Sequence, residues 1–134
     1  MKSKNIEFVD LRFTDPRGKL QHLTMDTTIV DEEMLNEGVF FDGSSIAGWK
    51  AINESDMILK PDLSRKVIDP YTSHNTLILL CDILDAVKKD PYERDPRGIA
   101  KKAEAYLKKT GIGDFSVINS VSYTHLTLPT IYSV

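Results

Sequence analysis

The sequence predicts an α+β fold: a mixed sheet with one face covered and a short helix among its strands, followed by one amphipathic helix. Three observations predict it. The chain opens with two stretches of two-residue alternation separated by turn residues. A short, acid-capped helical signal comes next. Apolar runs of strand length then recur until an Asp-Pro pair introduces a segment with helical spacing.

Taken in order, Ile6 to Phe13 reads as a strand with Val9, Leu11 and Phe13 on one face and Asp10 and Arg12 on the other. Thr14 to Gly18 supplies a tight turn, with Asp15 and Pro16 at its start and Gly18 near its end. Leu20 to Met25 alternates again, which completes a β-hairpin. Asp31 is placed to cap a helix of about two turns, Glu32 and Glu33 suit its amino end, and Gly38 can stop it. Met57 to Leu59, Lys66 to Ile68 and Thr76 to Ile83 are further strand candidates, separated by Pro61 and by Asp69-Pro70. Asp85 to Arg94 is polar, contains Pro91 and reads as a linker. Asp95 then caps a helix with Pro96 in its first turn, where a missing N–H costs nothing. Ile99, Ala103, Tyr106 and Leu107 share one face of that helix, and Gly111 closes it.

Composition narrows the function. Of 134 residues, 41% are hydrophobic, enough for a modest core, and the formal charge of −3 argues against nucleic acid as a partner. The single cysteine, Cys81, excludes an intrachain disulfide and sits in an apolar run, where a small buried residue is the plainer reading than a reactive thiol. Met1 to Asn5 lacks the apolar stretch of a secretion signal, and no run approaches the roughly 20 apolar residues needed to cross a bilayer. A cytoplasmic protein with no membrane segment is the expectation.

The most unusual local feature is Phe41-Asp42-Gly43-Ser44-Ser45, a carboxylate, a glycine and two hydroxyls after an apolar pair. Alone, Asp-Gly-Ser-Ser is good turn chemistry. Its surroundings say more. The stretch from Phe41 to Met57, with a Glu54-Ser55-Asp56 group downstream, closely resembles the amino-terminal signature of glutamine synthetase. Val9 to Asp15 resembles that family's opening strand and turn. Val67 to Pro70 and Cys81 to Ile83 are similar to its following strands, and Tyr92 to Arg97 to the entry of its catalytic domain. The resemblance covers roughly residues 5–114.

That resemblance implies a β-grasp domain over 1–90, a linker and the first helix of a truncated catalytic domain over 91–114, and a ring-shaped homo-oligomer in which this domain completes a neighbouring subunit's site. It implies an ATP-dependent ligase that phosphorylates the side-chain carboxylate of glutamate, after which ammonia displaces the phosphate to give glutamine. ATP with Mg or Mn serves the full-length enzyme, and none is expected on this segment. Asp42 matches the family residue that binds ammonium and draws off its proton, and Ser45 matches a residue beside it. Trp49 and Asp56 lie in the same signature as weaker substrate-binding candidates. A packing role for Trp49 and a strand-edge or loop role for Asp56 stay open beside that. A carboxylate suits ammonium because it compensates the hydration a small cation gives up and can accept its proton.

The chain departs from the family after Gly111. The glutamate-rich stretch that would supply metal ligands is absent, and no acidic residue follows Asp114. Val121 to Thr130 translates GTC TCT TAT ACA CAT CTG ACG CTG CCG ACG, which resembles a transposase-based sequencing adapter. Residues 115–134 are therefore expected to be a non-native tail, and His125 is not a ligand or base. Two further functions stay open: a stand-alone β-grasp domain that binds protein without catalysis, and a related ligase that acts on another amine.

Overall fold

The structure, a computed structural model, describes residues 5–49 and 55–116. The chain divides into two compact units, Met1–Lys101 and Lys102–Val134. All but the first two residues of the expected tail, and Lys50 to Glu54 of the signature, lie outside the described residues.

Five strands and two α-helices make up the described fold, with short 3₁₀ turns at Thr27–Ile29 and Gly43–Ser45: β1 (Phe8–Thr14), β2 (Leu20–Asp26), α1 (Glu32–Glu37), β3 (Val39–Asp42), β4 (Asp56–Ile68), β5 (Thr76–Asp85) and α2 (Pro96–Thr110). The strands form one mixed sheet in the order β2-β1-β5-β4-β3. β1 pairs antiparallel with β2 and parallel with β5, so the first and last strands lie side by side at the centre. Val9, Leu11, Phe13, Met57, Leu59, Leu77, Leu79, Cys81 and Ile83 form the buried face, with Leu35 of α1 packed against it. Each fully buried aliphatic side chain there contributes roughly 1.5–3 kcal/mol relative to exposure. Burial pushes the Cys81 thiol up to about 12, which leaves no thiolate at neutral pH.

The hairpin forms as its alternation predicts. Asp15 organises its turn: its backbone N–H donates to the Lys19 carbonyl at 2.9 Å, and one carboxylate oxygen accepts from the N–H groups of Arg17 at 2.9 Å and Lys19 at 2.8 Å. α1 is also as expected. Asp31 accepts from the Met34 N–H at 2.7 Å, and Gly38, at φ +95°, donates to the Met34 carbonyl.

Three features differ from the sequence expectation. Asp10 is on the face opposite Val9 and Leu11, yet it is only 4% exposed. Its carboxylate accepts from Arg12 Nε at 2.6 Å and Thr24 Oγ1 at 2.8 Å, and His22 Nδ1 lies 2.9 Å away; Arg12 continues to Asp69 at 2.8 Å. Burial raises the Asp10 carboxyl, but these hydrogen bonds outweigh it and hold the group below its ordinary 3.8. Secondly, Met57 to Leu59 and Lys66 to Ile68 belong to one strand, because Pro61 stands where the register against β5 shifts and no ladder N–H is needed. Thirdly, the expected linker returns along β5. Past Arg12, β1 no longer pairs with β5. There Ile83 donates to the Asp95 carboxylate at 3.2 Å and accepts from the Tyr92 N–H at 2.9 Å. Asp95, 1% exposed, also accepts from the N–H groups of Arg97 and Gly98, which joins the start of α2 to the sheet. Its carboxyl is raised, chiefly by burial. No residue of α2 is buried, so the apolar face predicted for it is uncovered in its first unit, where Ile99 is 53% exposed.

Two outcomes are expected. A Cβ at Gly38 would stand 2.5 Å from Ile58 Cγ2 and 2.7 Å from the Leu59 carbonyl oxygen, at a φ that side chains avoid. Gly38→Ala is therefore expected to cost about 3 kcal/mol in urea unfolding, and an unchanged midpoint would contradict the packing. Because the folded Asp10 carboxyl lies below its unfolded value, its stabilisation is present above that value and lost as pH falls through the folded one. Asp10→Asn should be less stable than wild type at pH 7, with the gap closing below about pH 4. A gap independent of pH, measured by urea midpoints, would refute the ionic role.

Candidate functional site

The sequence around Asp42 becomes an edge strand that runs straight into a tight turn. Val39 pairs with Leu59 and Phe41 with Met57, which sets Asp42 opposite Asp56 in adjacent antiparallel strands. Gly43–Ser45 then form one turn of 3₁₀ helix with Asp42 as its cap. The Asp42 carboxylate accepts from the Ser44 N–H at 2.9 Å and the Ser44 hydroxyl at 2.6 Å. The Ser55 hydroxyl adds a third hydrogen bond. The Ser44 hydroxyl and N–H are the largest causes that hold the Asp42 carboxyl below its ordinary value, so it is ionised at neutral pH.

Gly43 explains why the turn sits where it does. Its N–H donates to the Ser55 carbonyl at 2.7 Å, and a Cβ there would meet Met57 Sδ at 2.3 Å and the Ser55 oxygen at 2.9 Å. Only glycine lets the backbone pass this close to β4. The chain beyond the turn is tied in by Ile46 N–H to the Gly43 carbonyl at 3.1 Å and Trp49 N–H to the Ile46 carbonyl at 3.2 Å.

Each sequence candidate now has a position. Asp42 and Asp56 are brought together as exposed cross-strand neighbours. Ser45 is exposed at the end of the turn, and Ser44, not Ser45, holds the carboxylate. Trp49 is 4% exposed in an aromatic cluster: its ring stacks on Phe13 at 5.6 Å and meets Phe41 and Tyr92 edge-on at 6.1 and 6.0 Å. Among the described residues its indole N–H has no hydrogen-bond partner. Sequence reasoning missed Ser55 as a partner of Asp42, although it lies within the quoted signature. It also missed Tyr92 and Arg94, whose side chains bond the carbonyls of Trp49 at 3.0 Å and Gly48 at 3.1 Å.

Elsewhere, a cleft of about 270 Å³ opens beside Arg12, Leu80, Cys81 and Arg97. It is remote in sequence from the turn, and its two guanidinium groups are occupied by Asp10 and Asp69 and by Asp62 and Asp82. Among the described residues no three of His, Cys, Asp and Glu converge in a way that could hold a metal ion, and no helix is long and apolar enough to cross a membrane.

A mixed five-stranded sheet grasping a short helix, with a carboxylate held on a turn at its edge, defines a β-grasp domain. Residues 5–86 match the family described as the glutamine synthetase beta-Grasp domain, and the chain belongs to that family. It is 62% identical over 114 residues to the glutamine synthetases of Rhizobium meliloti and Azorhizobium caulinodans, and 57% identical over 115 residues to that of Pseudomonas aeruginosa. Each match covers 85% of this chain, which spans about a quarter, 24%, of the length of those relatives. A Plasmodium falciparum glutamine synthetase structure superposes with a TM-score of 0.75 at 27% identity, over 83% of this chain and 21% of that one. A GmaS/ADP complex, at 21% identity and a TM-score of 0.73 over 81% of this chain and 24% of that one, shares the fold.

Removing the Ser44 hydroxyl should release the Asp42 carboxyl. In Ser44→Ala the Asp42 titration, followed by carboxyl carbon NMR, is expected to move up toward the ordinary 3.8. An unmoved titration would show that the turn does not set its charge.

Proposed function

We propose that this chain supplies the ammonium side of a glutamine synthetase active site, with Asp42 as the residue that binds the cation. The observation that carries this reading is the Asp42 carboxylate itself: ionised, exposed, and held by Ser44 on a turn that Gly43 fixes against β4. In the reaction, the γ-phosphoryl group of ATP passes to the side-chain carboxylate of glutamate and leaves ADP. The ammonia nitrogen then forms a bond to that carbonyl carbon as the bond to phosphate breaks, and its surplus protons are lost. Asp42 acts mainly by charge. A carboxyl held below its ordinary value is a weak base, so it concentrates ammonium and offsets its dehydration, and it takes a proton only as the nitrogen commits to attack. Asp56, beside it, adds negative charge that a bound cation would neutralise. Ser45 borders the turn, and Trp49 serves the site by packing beneath it.

ATP and a divalent ion, Mg or Mn, belong to this reading as requirements of the whole enzyme. The described residues do not fit a metal site, so a metal would be held by other parts of the whole enzyme. A homo-oligomeric ring, in which this domain faces a neighbouring subunit, and a cytoplasmic setting go with the same reading. So do a change of domain that begins near residue 90, with the segment from Tyr92 to the start of α2 shared by the sheet it leaves, and a non-native origin for residues 115–134.

The test is a chimera in which the matched segment of this chain replaces its counterpart in the Rhizobium meliloti enzyme, with which it shares 62% identity. Asp42→Asn in that chimera is expected to lower ammonium-dependent turnover by at least about 100-fold, beyond any change in glutamate affinity. Turnover near that of the unsubstituted chimera would sink the assignment.

A further inference from the structure

We propose that Tyr92 and Arg94 are positioning residues for the ammonium-binding turn, acting on it through the backbone carbonyls of Trp49 and Gly48. The inference rests on the role given above to Asp42 and extends it to two residues of the segment that leads into α2. The Asp42 turn is anchored at both ends by one strand, β5. At its start the route runs through β4: Met57 pairs with Asp85 of β5 and with Phe41 of β3, directly before Asp42. At its far end the route runs through the returning segment. Tyr92 N–H donates to the Ile83 carbonyl of β5 at 2.9 Å, and the Tyr92 hydroxyl donates to the Trp49 carbonyl at 3.0 Å. Arg94 donates to the neighbouring Gly48 carbonyl at 3.1 Å. From there the bonds Trp49 N–H to Ile46 and Ile46 N–H to Gly43 lead back to the turn. The result is a closed loop of hydrogen bonds with Asp42 on its circumference.

The side chains are suited to that work. Tyr92 lies edge-on to the Trp49 ring with 76° between the planes, so its hydroxyl is aimed by a packed ring. The segment carrying both residues is held independently by the buried Asp95, which accepts from Ile83 on β5 and from the first turn of α2. Tyr92 and Arg94 thus transmit the position of the β5–α2 connection to a carboxylate more than forty residues earlier in the chain. Losing either bond loosens the distal half of the turn, and through Ile46 the looseness reaches the Gly43 carbonyl and the turn that carries Asp42. The consequence falls on how well Asp42 is aimed and leaves its charge unchanged.

Trp49 is the only tryptophan, so its fluorescence reports the far end of the turn directly. In the chain as it stands, Tyr92→Phe and Arg94→Met are each expected to increase quenching of Trp49 by acrylamide; quenching unchanged from the parent chain in both would overturn the proposal. In the Rhizobium meliloti chimera, the same substitutions should raise KM for ammonium about fivefold, the effect of one typical hydrogen bond, with KM for glutamate unchanged. Arg94→Lys, which keeps a donor, should recover part of the loss. Equal changes in both KM values, or no change in either, would reduce the two residues to general stabilisers and overturn the proposal. Asp42→Asn separates the two readings. If it abolishes ammonium use while Tyr92→Phe is silent, only the positioning role fails; if Asp42→Asn is itself silent, the reading of the turn fails and the positioning role falls with it.

Discussion

Pairing of the first strand with the last is the constraint on which this sheet depends, and it is met across most of the domain's sequence. Leu11 lies beside Leu79 only after the intervening hairpin arm, helix and two strands have been passed. Such non-local contacts repay the entropy of loop closure late. Once β1 is in place it has neighbours on both sides, and its Val9 and Leu11 are completely buried. β2 contacts the remaining strands only through β1, and β3 reaches the sheet only through β4. The position of Asp42 on the β3 edge is therefore inherited from the centre outward.

Charge finishes what apolar burial begins. On the face opposite the core, Arg12 joins Asp10 to Asp69, while Arg97 joins Asp62 to Asp82. These arginines remain about a quarter exposed, so each pair adds only on the order of 1 kcal/mol. Their value is geometric. One guanidinium gathers carboxylates from two elements, and the planar fork fixes their relative position better than a flexible ammonium would. Asp10, nearly buried, could not be left without such partners.

The elements most legible in the sequence are those whose signals are local. The hairpin is written in alternation and an Asp-Pro-Arg-Gly turn, α1 in an acidic cap and a terminal glycine, and the start of α2 in Asp95-Pro96. The turn at Asp42 is equally plain, because a carboxylate capping its own loop is a matter of adjacent residues. What escapes a reading of the sequence is settled at a distance. Val39–Asp42 is too short to show a period and becomes a strand because β4 offers it an edge. Pro61 reads as a break, but it falls where the ladder already shifts register. Asp10 reads as a surface acid until Arg12, Thr24 and His22 are seen around it. Tyr92 and Arg94 act on carbonyl oxygens of residues far along the chain, and a carbonyl carries no mark in the sequence.

The returning segment beside β5 changes where this domain can be cut. A boundary drawn at the polar run before Pro91 would remove the Tyr92 N–H and the Asp95 carboxylate together, and Ile83 would lose both of its backbone partners in the middle of the sheet. The same cut would uncover one edge of the Trp49 ring. The compact unit runs on to Lys101, so the first residues of the next helix are structurally part of the sheet they follow. Modular exchange of this domain between relatives should respect that overlap, with the junction placed inside α2 and not ahead of it.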